Sequence, residues 1–403
     1  MMKMINRKDF LKLSSLIPAQ LLWSKFKSSP LLRHQSPQKQ NVLIIVFDTW
    51  SGENLSLFGY RRETSPELEK LARKAIVFHH HYAAAPWTMP GTASLLSGLY
   101  PWTHRVFDFD KIKYSQNIFG FFSAADYFIQ TYTHNPLADE LINVYAHEGQ
   151  IRIPREQFFL APDPYFHEAL ERDAETFYLA RHQIFMNETE VTNSLFLPKI
   201  VRAYHRRYYQ RVLAPYMERY PEEPPVIAGS SDYFVLDDPF NWMVDTLPLS
   251  PKPFLHYYHF YPPHGPYRPQ KDFMYRFEDG WEPAEKDFPF PGPEPQRKIN
   301  RRRREYDCYV SDVDAQFANL YRRLEQSGIL EDTWLVLTSD HGELFERGVI
   351  GHSYITLHEP LLHVPLLIFP PGHQEGRIDI FDRTSACLLY TSPSPRDKGE
   401  SRM

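Results

Sequence analysis

Val42-Leu43-Ile44-Ile45-Val46-Phe47 is an unbroken, largely β-branched apolar run that ends at Asp48. A strand with one wet face alternates apolar and polar residues, whereas a strand covered on both faces does not. The run therefore reads as a buried, parallel strand. Asp48 falls at its carboxyl end, where ligands bind in open α/β sheets. Apolar runs at 75–78, 128–133, 254–261, 333–338 and 364–369 read as further strands. Between them, residues 64–72 read as a capped helix with Pro66 near its start. Val313, Phe317, Leu320, Tyr321 and Leu324 recur at helical spacing, and Gly328 closes that helix. Strands alternating with helices predict an α/β fold with a mostly parallel central sheet sandwiched by helices.

The bulk numbers narrow the classes. The 403 residues, 42% of them hydrophobic, can bury one large domain or two. Forty-five Lys and Arg against 50 Asp and Glu give a net charge of -5, with no whole-chain case for nucleic acid. Two cysteines exclude a disulfide framework and a thiolate cluster, so any metal must sit on carboxylate, imidazole or hydroxyl groups. No apolar run is long enough to span a bilayer as a helix.

Organisation follows composition. Residues 1–32 start basic, at Asn6-Arg7-Lys8-Asp9-Phe10, and continue weakly apolar. The pattern resembles a twin-arginine secretion signal with Lys8 in the second arginine's place, which implies a periplasmic or extracytoplasmic protein. An amphipathic surface helix on a cytoplasmic protein is the other reading. Residues 33–40 are a polar linker, and 41–386 form the main domain with a diverged middle at 107–245. Within it, residues 165–213 read largely as helix with a break near Pro198, a cap or insertion. Arg301-Arg302-Arg303-Arg304 reads as a solvated helix face. Residues 387–403 break the style of the chain and resemble adaptor-derived read-through, so a truncated C-terminal subdomain is expected.

Chemistry gathers at strand ends. In Ala85-Pro86-Trp87-Thr88-Met89-Pro90-Gly91-Thr92-Ala93-Ser94, the prolines restrict the backbone around Thr88. A helix is expected from Gly91, with Thr92 or Ser94 as its cap. A hydroxyl just ahead of a helix N-terminus suits an oxygen nucleophile facing phosphate or sulfate, although a capped surface turn has the same appearance. Ser339-Asp340-His341-Gly342-Glu343 closes the 333–338 strand. Asp48, Thr88, Asp340 and His341 together offer two carboxylates, an imidazole and a hydroxyl, a donor set for one divalent metal. A lone Asp at a strand end is more often a turn former than a ligand, and Ser339-Asp340-His341-Gly342 alone could be a tight turn. His259, on an aromatic strand, reads as a satisfied core residue, and His79-His80-His81 as structural.

These motifs together resemble the sulfatase-like branch of the alkaline phosphatase superfamily. Residues 41–48 are similar to the first strand with its metal aspartate, and 85–101 to the nucleophile motif Cys/Ser-x-Pro-x-Arg ahead of Leu-Leu-x-Gly-x-Tyr-Pro. Residues 254–267 are similar to the strand entering a Pro-His-x-Pro-Tyr loop. Residues 335–343 are similar to the Thr-Ser-Asp-His-Gly-Glu metal motif, and 351–372 to the closing segment. The resemblance implies that Asp48, Asp340 and His341 bind the metal and that Thr88, as nucleophile, bridges to it. It implies that His264 contacts substrate or protonates the leaving group, and that His352, where many sulfatases carry lysine, contacts the transferred group. His134 corresponds loosely to another substrate-binding residue.

The departures redirect the chemistry. Thr88 stands where a cysteine or serine becomes formylglycine, and threonine cannot form that aldehyde. Thr92, expected with His134 among the substrate-binding residues, takes the place of the arginine that would hold the aldehyde hydrate, and Thr49 that of a frequent second metal aspartate or asparagine. Pro262 stands where two-metal relatives often have aspartate, leaving one metal or two open. The nitrogen of His341 favours zinc or manganese, with calcium or magnesium the lesser alternatives. The expected activity is a metal-dependent hydrolase or transferase on phosphate or phosphonate esters, the substrate being a small molecule or a glycan or lipid ester. The rivals are a sulfatase using Thr88 directly and an inactive binding protein of the same fold.

Overall fold

The computed structural model describes residues 39–107, 116–160, 206–288, 292–352, 356–372 and 375–386. The secretion-signal segment, most of the 33–40 linker, most of the helical insertion at 165–213 and the 387–403 tail lie outside the described residues. Among the described residues no helix is long and apolar enough to cross a membrane.

Among the described residues are twelve strands: β1 Asn41–Phe47, β2 Ile76–Phe78, β3 His81–Tyr82, β4 Phe128–Thr133, β5 Ile151–Arg152 and β6 Phe254–Phe260, then β7 Thr333–Ser339, β8 Leu344–Glu346, β9 Val349–Gly351, β10 Leu366–Phe369, β11 Ile378–Ile380 and β12 Thr384–Ser385. Eight form one sheet in the order β11-β2-β10-β7-β1-β6-β4-β5. All its pairings are parallel except those of β10 with β7 and β2. The helices, numbered here as α1 Pro66–Leu71, α2 Thr88–Ser97, α3 Pro101–His104, α4 Ile118–Ala124, α5 Pro136–Tyr145, α6 Asp237–Thr246, α7 Gln296–Gln326 and α8 Glu359–Leu362, flank it.

The unbroken apolar run of β1 has a direct cause. Leu43, Ile45 and Phe47 pack with α1, α6 and α7 on one face, while Ile44 and Val46 pack with α2, α4 and α5 on the other. Register then builds the site. Phe47 lies beside Phe260 and Ser339, so the residues that follow β1, β6 and β7 emerge together at one edge.

Three local expectations are corrected. Helix α2 starts at Thr88 rather than Gly91, and its N-cap is Trp87 with no side-chain cap. Thr92 and Ser94 lie inside the helix, bonded instead to Asp340 and His104. The helix read from the spacing of Val313 to Leu324 begins at Gln296, so the arginine run lies within it. Arg301 and Arg302 are exposed there, but Arg303 turns inward and donates to the Phe345 carbonyl. Helix α1 forms as expected, yet Ser65 makes no side-chain cap. Asp314 of α7 takes that role, accepting from the Glu67 and Leu68 N–H groups at 2.8 Å each.

Candidate active site

Asp48 and Asp340 directly follow β1 and β7, and Thr88 opens α2. The helix reaches the loop after β7 through Gly91, where a Cβ would lie 2.6 Å from the Asp340 carbonyl oxygen. Only glycine permits that approach. Thr88 Oγ1 then sits 3.1 Å from His341 Nε2, and Thr92 Oγ1 donates to Asp340 Oδ2 at 3.3 Å. His341 Nε2 is 3.4 Å from Asp48 Oδ1 and 3.7 Å from Asp340 Oδ2. All five residues are buried. The backbone between these groups is strained: Thr49, β-branched, holds φ at 60°. Tyr306 fixes that turn, its hydroxyl donating to the Thr49 carbonyl at 2.6 Å and accepting from the Ser51 N–H at 3.0 Å.

Hydrogen bonds set the protons. The His341 Nδ1–H donates to the Gly342 carbonyl at 2.9 Å, leaving the Nε2 lone pair toward Thr88 and Asp48. Asp48 Oδ2 accepts from Asn135 Nδ2 at 2.5 Å, whereas its buried Oδ1 has no partner. Burial, with the Asp340 charge beside it, pushes the Asp48 carboxyl well above the usual range. Burial also raises Asp340 and holds His341 well below the ordinary imidazole value. Two crowded, dehydrated carboxylates and a deprotonated imidazole are a costly arrangement without a cation. Asp48, Asp340 and His341 each offer a ligand atom within 4.8 Å of the others. The orphaned Oδ1 of Asp48 and the Nε2 of His341 that faces it and Thr88 fit a divalent metal, and the nitrogen donor suits zinc or manganese better than calcium.

A second layer surrounds this centre. His352 Nδ1 is 3.0 Å from Glu343 Oε1, and its ring lies 4.7 Å from that of His341 and 4.8 Å from that of His264. Burial opposes charge on His352, but the Glu343 carboxylate outweighs it and holds the imidazole above its ordinary value. His264 donates from Nδ1 to the Gly265 carbonyl at 2.7 Å, and burial keeps it neutral.

Thr88, Thr92, Asp48, Asp340, His341, His352 and His264 are thus neighbours. His134 is placed differently. Its ring stacks on Phe234 at 4.1 Å, among Tyr132, Phe159 and Phe260, and both nitrogens are buried without a partner. The reading of His259 as a satisfied core residue also needs revision. Its unpartnered Nε2 lies 3.8 Å from Asp340 Oδ2, because β6 presents His259 on the same face as Tyr257, toward α2. Asn135 and Glu343 were not foreseen. Asn135 before Pro136 signals a helix cap, and it does cap α5 through the Leu137 and Ala138 N–H groups, which hides its second bond to Asp48.

A mostly parallel sheet with two buried aspartates and a hydroxyl at its carboxyl edge defines a class of α/β proteins built around a charged centre. The chain belongs to the Sulfatase family, whose model matches residues 40–149 and 164–391. It is similar to an ulvan-active sulfatase of Formosa agariphila, 34% identical over 87 residues, 22% of this chain and 17% of that protein. Similarity to a choline-sulfatase of Rhizobium meliloti runs longer, 22% over 368 residues, 84% of this chain and 64% of its relative. The chain thus spans under two thirds of both relatives. Among solved structures, the phosphonate monoester hydrolase of Agrobacterium radiobacter superposes with a TM-score of 0.59 at 18% identity, covering 87% of this chain and 72% of that one. That likeness establishes the fold.

Proposed function

We propose that this chain is a metal-dependent hydrolase or transferase of phosphate or phosphonate esters, working through a covalent intermediate on Thr88. The observation that carries the reading is the Thr88 hydroxyl, 3.1 Å from the His341 Nε2 lone pair at the start of a helix and facing buried carboxylates. The phosphonate monoester hydrolase among its structural neighbours agrees with a phosphoryl substrate; the sulfatase relatives agree with sulfate as the second choice.

In this reading Asp48, Asp340, His341 and Thr88 would hold a divalent ion, which would lower the hydroxyl's pKa and neutralise charge on the transferred group. Thr88 Oγ1, having given its proton to solvent, attacks phosphorus as the alkoxide, and the bond to the leaving oxygen breaks as the Oγ1–P bond forms. The N-terminal end of α2 faces the developing negative charge. His352, kept protonated by Glu343, donates its proton to the leaving oxygen, and neutral His264 hydrogen-bonds the transferred group. His352, now a base, takes a proton from water or an acceptor alcohol, whose oxygen displaces Thr88 from phosphorus. Thr92 fixes Asp340, and Asn135 fixes Asp48. His134 shapes the aromatic wall behind β4 and touches no reacting group.

The test compares Thr88→Ala and Thr88→Ser on aryl phosphate mono- and diesters, phosphonate monoesters and aryl sulfates, with zinc or manganese added. We expect the alanine variant to lose at least about 10³-fold in kcat and the serine variant to retain measurable turnover. Unchanged turnover in Thr88→Ala rejects the nucleophile. Faster turnover of sulfate than of phosphate esters moves the assignment to a sulfatase that uses threonine directly. A protein with neither turnover nor bound metal is a binding protein of this fold.

A further inference from the structure

We propose that His259 is a positioning residue for the metal centre proposed above, its Nε2–H steadying the Asp340 carboxylate from the sheet side. The inference rests on the reading of Asp48, Asp340 and His341 as metal ligands. His259 is fully buried on β6, yet its Nε2 finds no hydrogen-bond partner among the described residues. A buried, unpaired imidazole nitrogen is costly, and an apolar side chain would fill the strand without that cost. What Nε2 faces is Asp340 Oδ2, 3.8 Å away, on a carboxylate that is buried as well. His259 stands one step behind the groups whose ligand atoms converge, which are Asp48, Asp340 and His341.

The ring proton can be placed. Ionised Asp340 only accepts, so the imidazole stands favourably against it only with a hydrogen on Nε2. Nδ1 then carries the lone pair, and the Tyr257 hydroxyl, 3.3 Å from it, is the donor on that side. The opposite tautomer would turn a lone pair on a carboxylate oxygen in a buried site. At 3.8 Å the contact is electrostatic, too long for a hydrogen bond.

The sheet explains why this group is useful. Strand β1 separates β6 from β7, and His259 is paired with Val46 of β1 and Thr133 of β4. Its carbonyl also accepts from the His134 N–H at 3.0 Å. A side chain on a strand held from both edges is a firmer support than one on a loop. Asp340, by contrast, lies just past the end of β7. Its Oδ1 accepts from the His341 N–H at 3.0 Å, and its Oδ2 from Thr92 of α2 at 3.3 Å. His259 therefore steadies from the sheet the same oxygen that Thr92 holds from the helix.

The experiment measures the zinc affinity of the full chain by competition with a chelating dye, beside its thermal midpoint without metal. The amide nitrogen of glutamine reaches the place of imidazole Nε2, and that of asparagine the place of Nδ1. His259→Gln should stay within about threefold of the parent affinity, whereas His259→Asn and His259→Phe should lose about 10- to 100-fold. A purely structural role would rank the variants by their metal-free midpoints, not by whether a donor faces Asp340. If His259→Phe does not fold, the glutamine and asparagine variants decide. Parent-like affinity in His259→Asn, or equal losses in those two variants, overturns the proposal and leaves the metal reading standing. A parent chain that binds no zinc overturns that reading and this inference with it.

Discussion

Asn135 holds two jobs that pull in one direction. Its Oδ1 caps α5 and its Nδ2 fixes Asp48, so the cap's rigidity is passed to a carboxylate. Asn135→Ala should cost about 1 kcal/mol from the lost cap. Metal affinity should fall about 10- to 100-fold because the ligand is freed to rotate; titration calorimetry with zinc checks this. His134 makes the opposite kind of contribution. Burial, aided by the nearby Arg155 charge, lowers its pKa to about 3. An unfolded histidine titrates near 6.5, so below that pH the unfolded chain takes up a proton the folded chain refuses. The stability His134 contributes is therefore present above about pH 6.5 and is lost as pH falls toward 3. His134→Phe keeps the aromatic stack and should flatten the fall in urea midpoint between pH 6 and 4. The relief should be about 1 kcal/mol per pH unit. An unchanged pH profile would show that this residue carries no part of the acid sensitivity.

At the level of elements, the contact between α2 and the loop after β7 decides whether the site closes. Alanine usually stabilises a helix relative to glycine by about 0.5–1 kcal/mol. At Gly91 the added carbon would sit 2.6 Å from a backbone oxygen, and neither side is a flexible side chain. Overpacking of this kind costs about 1–3 kcal/mol, so the clash wins. Gly91→Ala should lower the melting temperature and, by shifting Thr88 along with α2, reduce kcat about 10²-fold; a variant with raised stability and full turnover would contradict this packing. Helix α1 depends similarly on a remote group. Asp314→Ala removes the acceptor for two N–H groups of its first turn. The expected loss is about 1–3 kcal/mol, read as a lower denaturant midpoint with turnover preserved.

For the whole molecule, what could be read in the chain divides along physical lines. The sheet was legible because β1 is covered on both faces and reads as an unbroken apolar run, while β6 and β7 keep enough apolar and aromatic residues to read as strands despite His256, His259, Thr333 and Thr338. Asp48 and the Asp340-His341 pair stood out as polar residues ending those runs. The start of α2 was misjudged because Thr92 and Ser94 look like caps, and only their bonds to Asp340 and His104 reveal otherwise. His259 looked like core because its neighbours are aromatic; its relation to Asp340 depends on the register of β6 beside β1, which no local pattern encodes.

The central place of β1 also has a consequence for how the chain comes into being. It is the earliest strand of the sheet, yet hydrogen bonds from Asn41 reach residues 213 and 292 positions further on. During synthesis β1 must wait with both edges unsatisfied until β6 and then β7 have been made. Contacts of such long range are slow to form and leave apolar edges open to wrong partners meanwhile. Asp48 and Asp340 cannot meet until that wait ends. A chain stopped before Thr333 would therefore lack both the proposed metal centre and the strand that flanks β1, with β10 and β11 still to be added beyond β7.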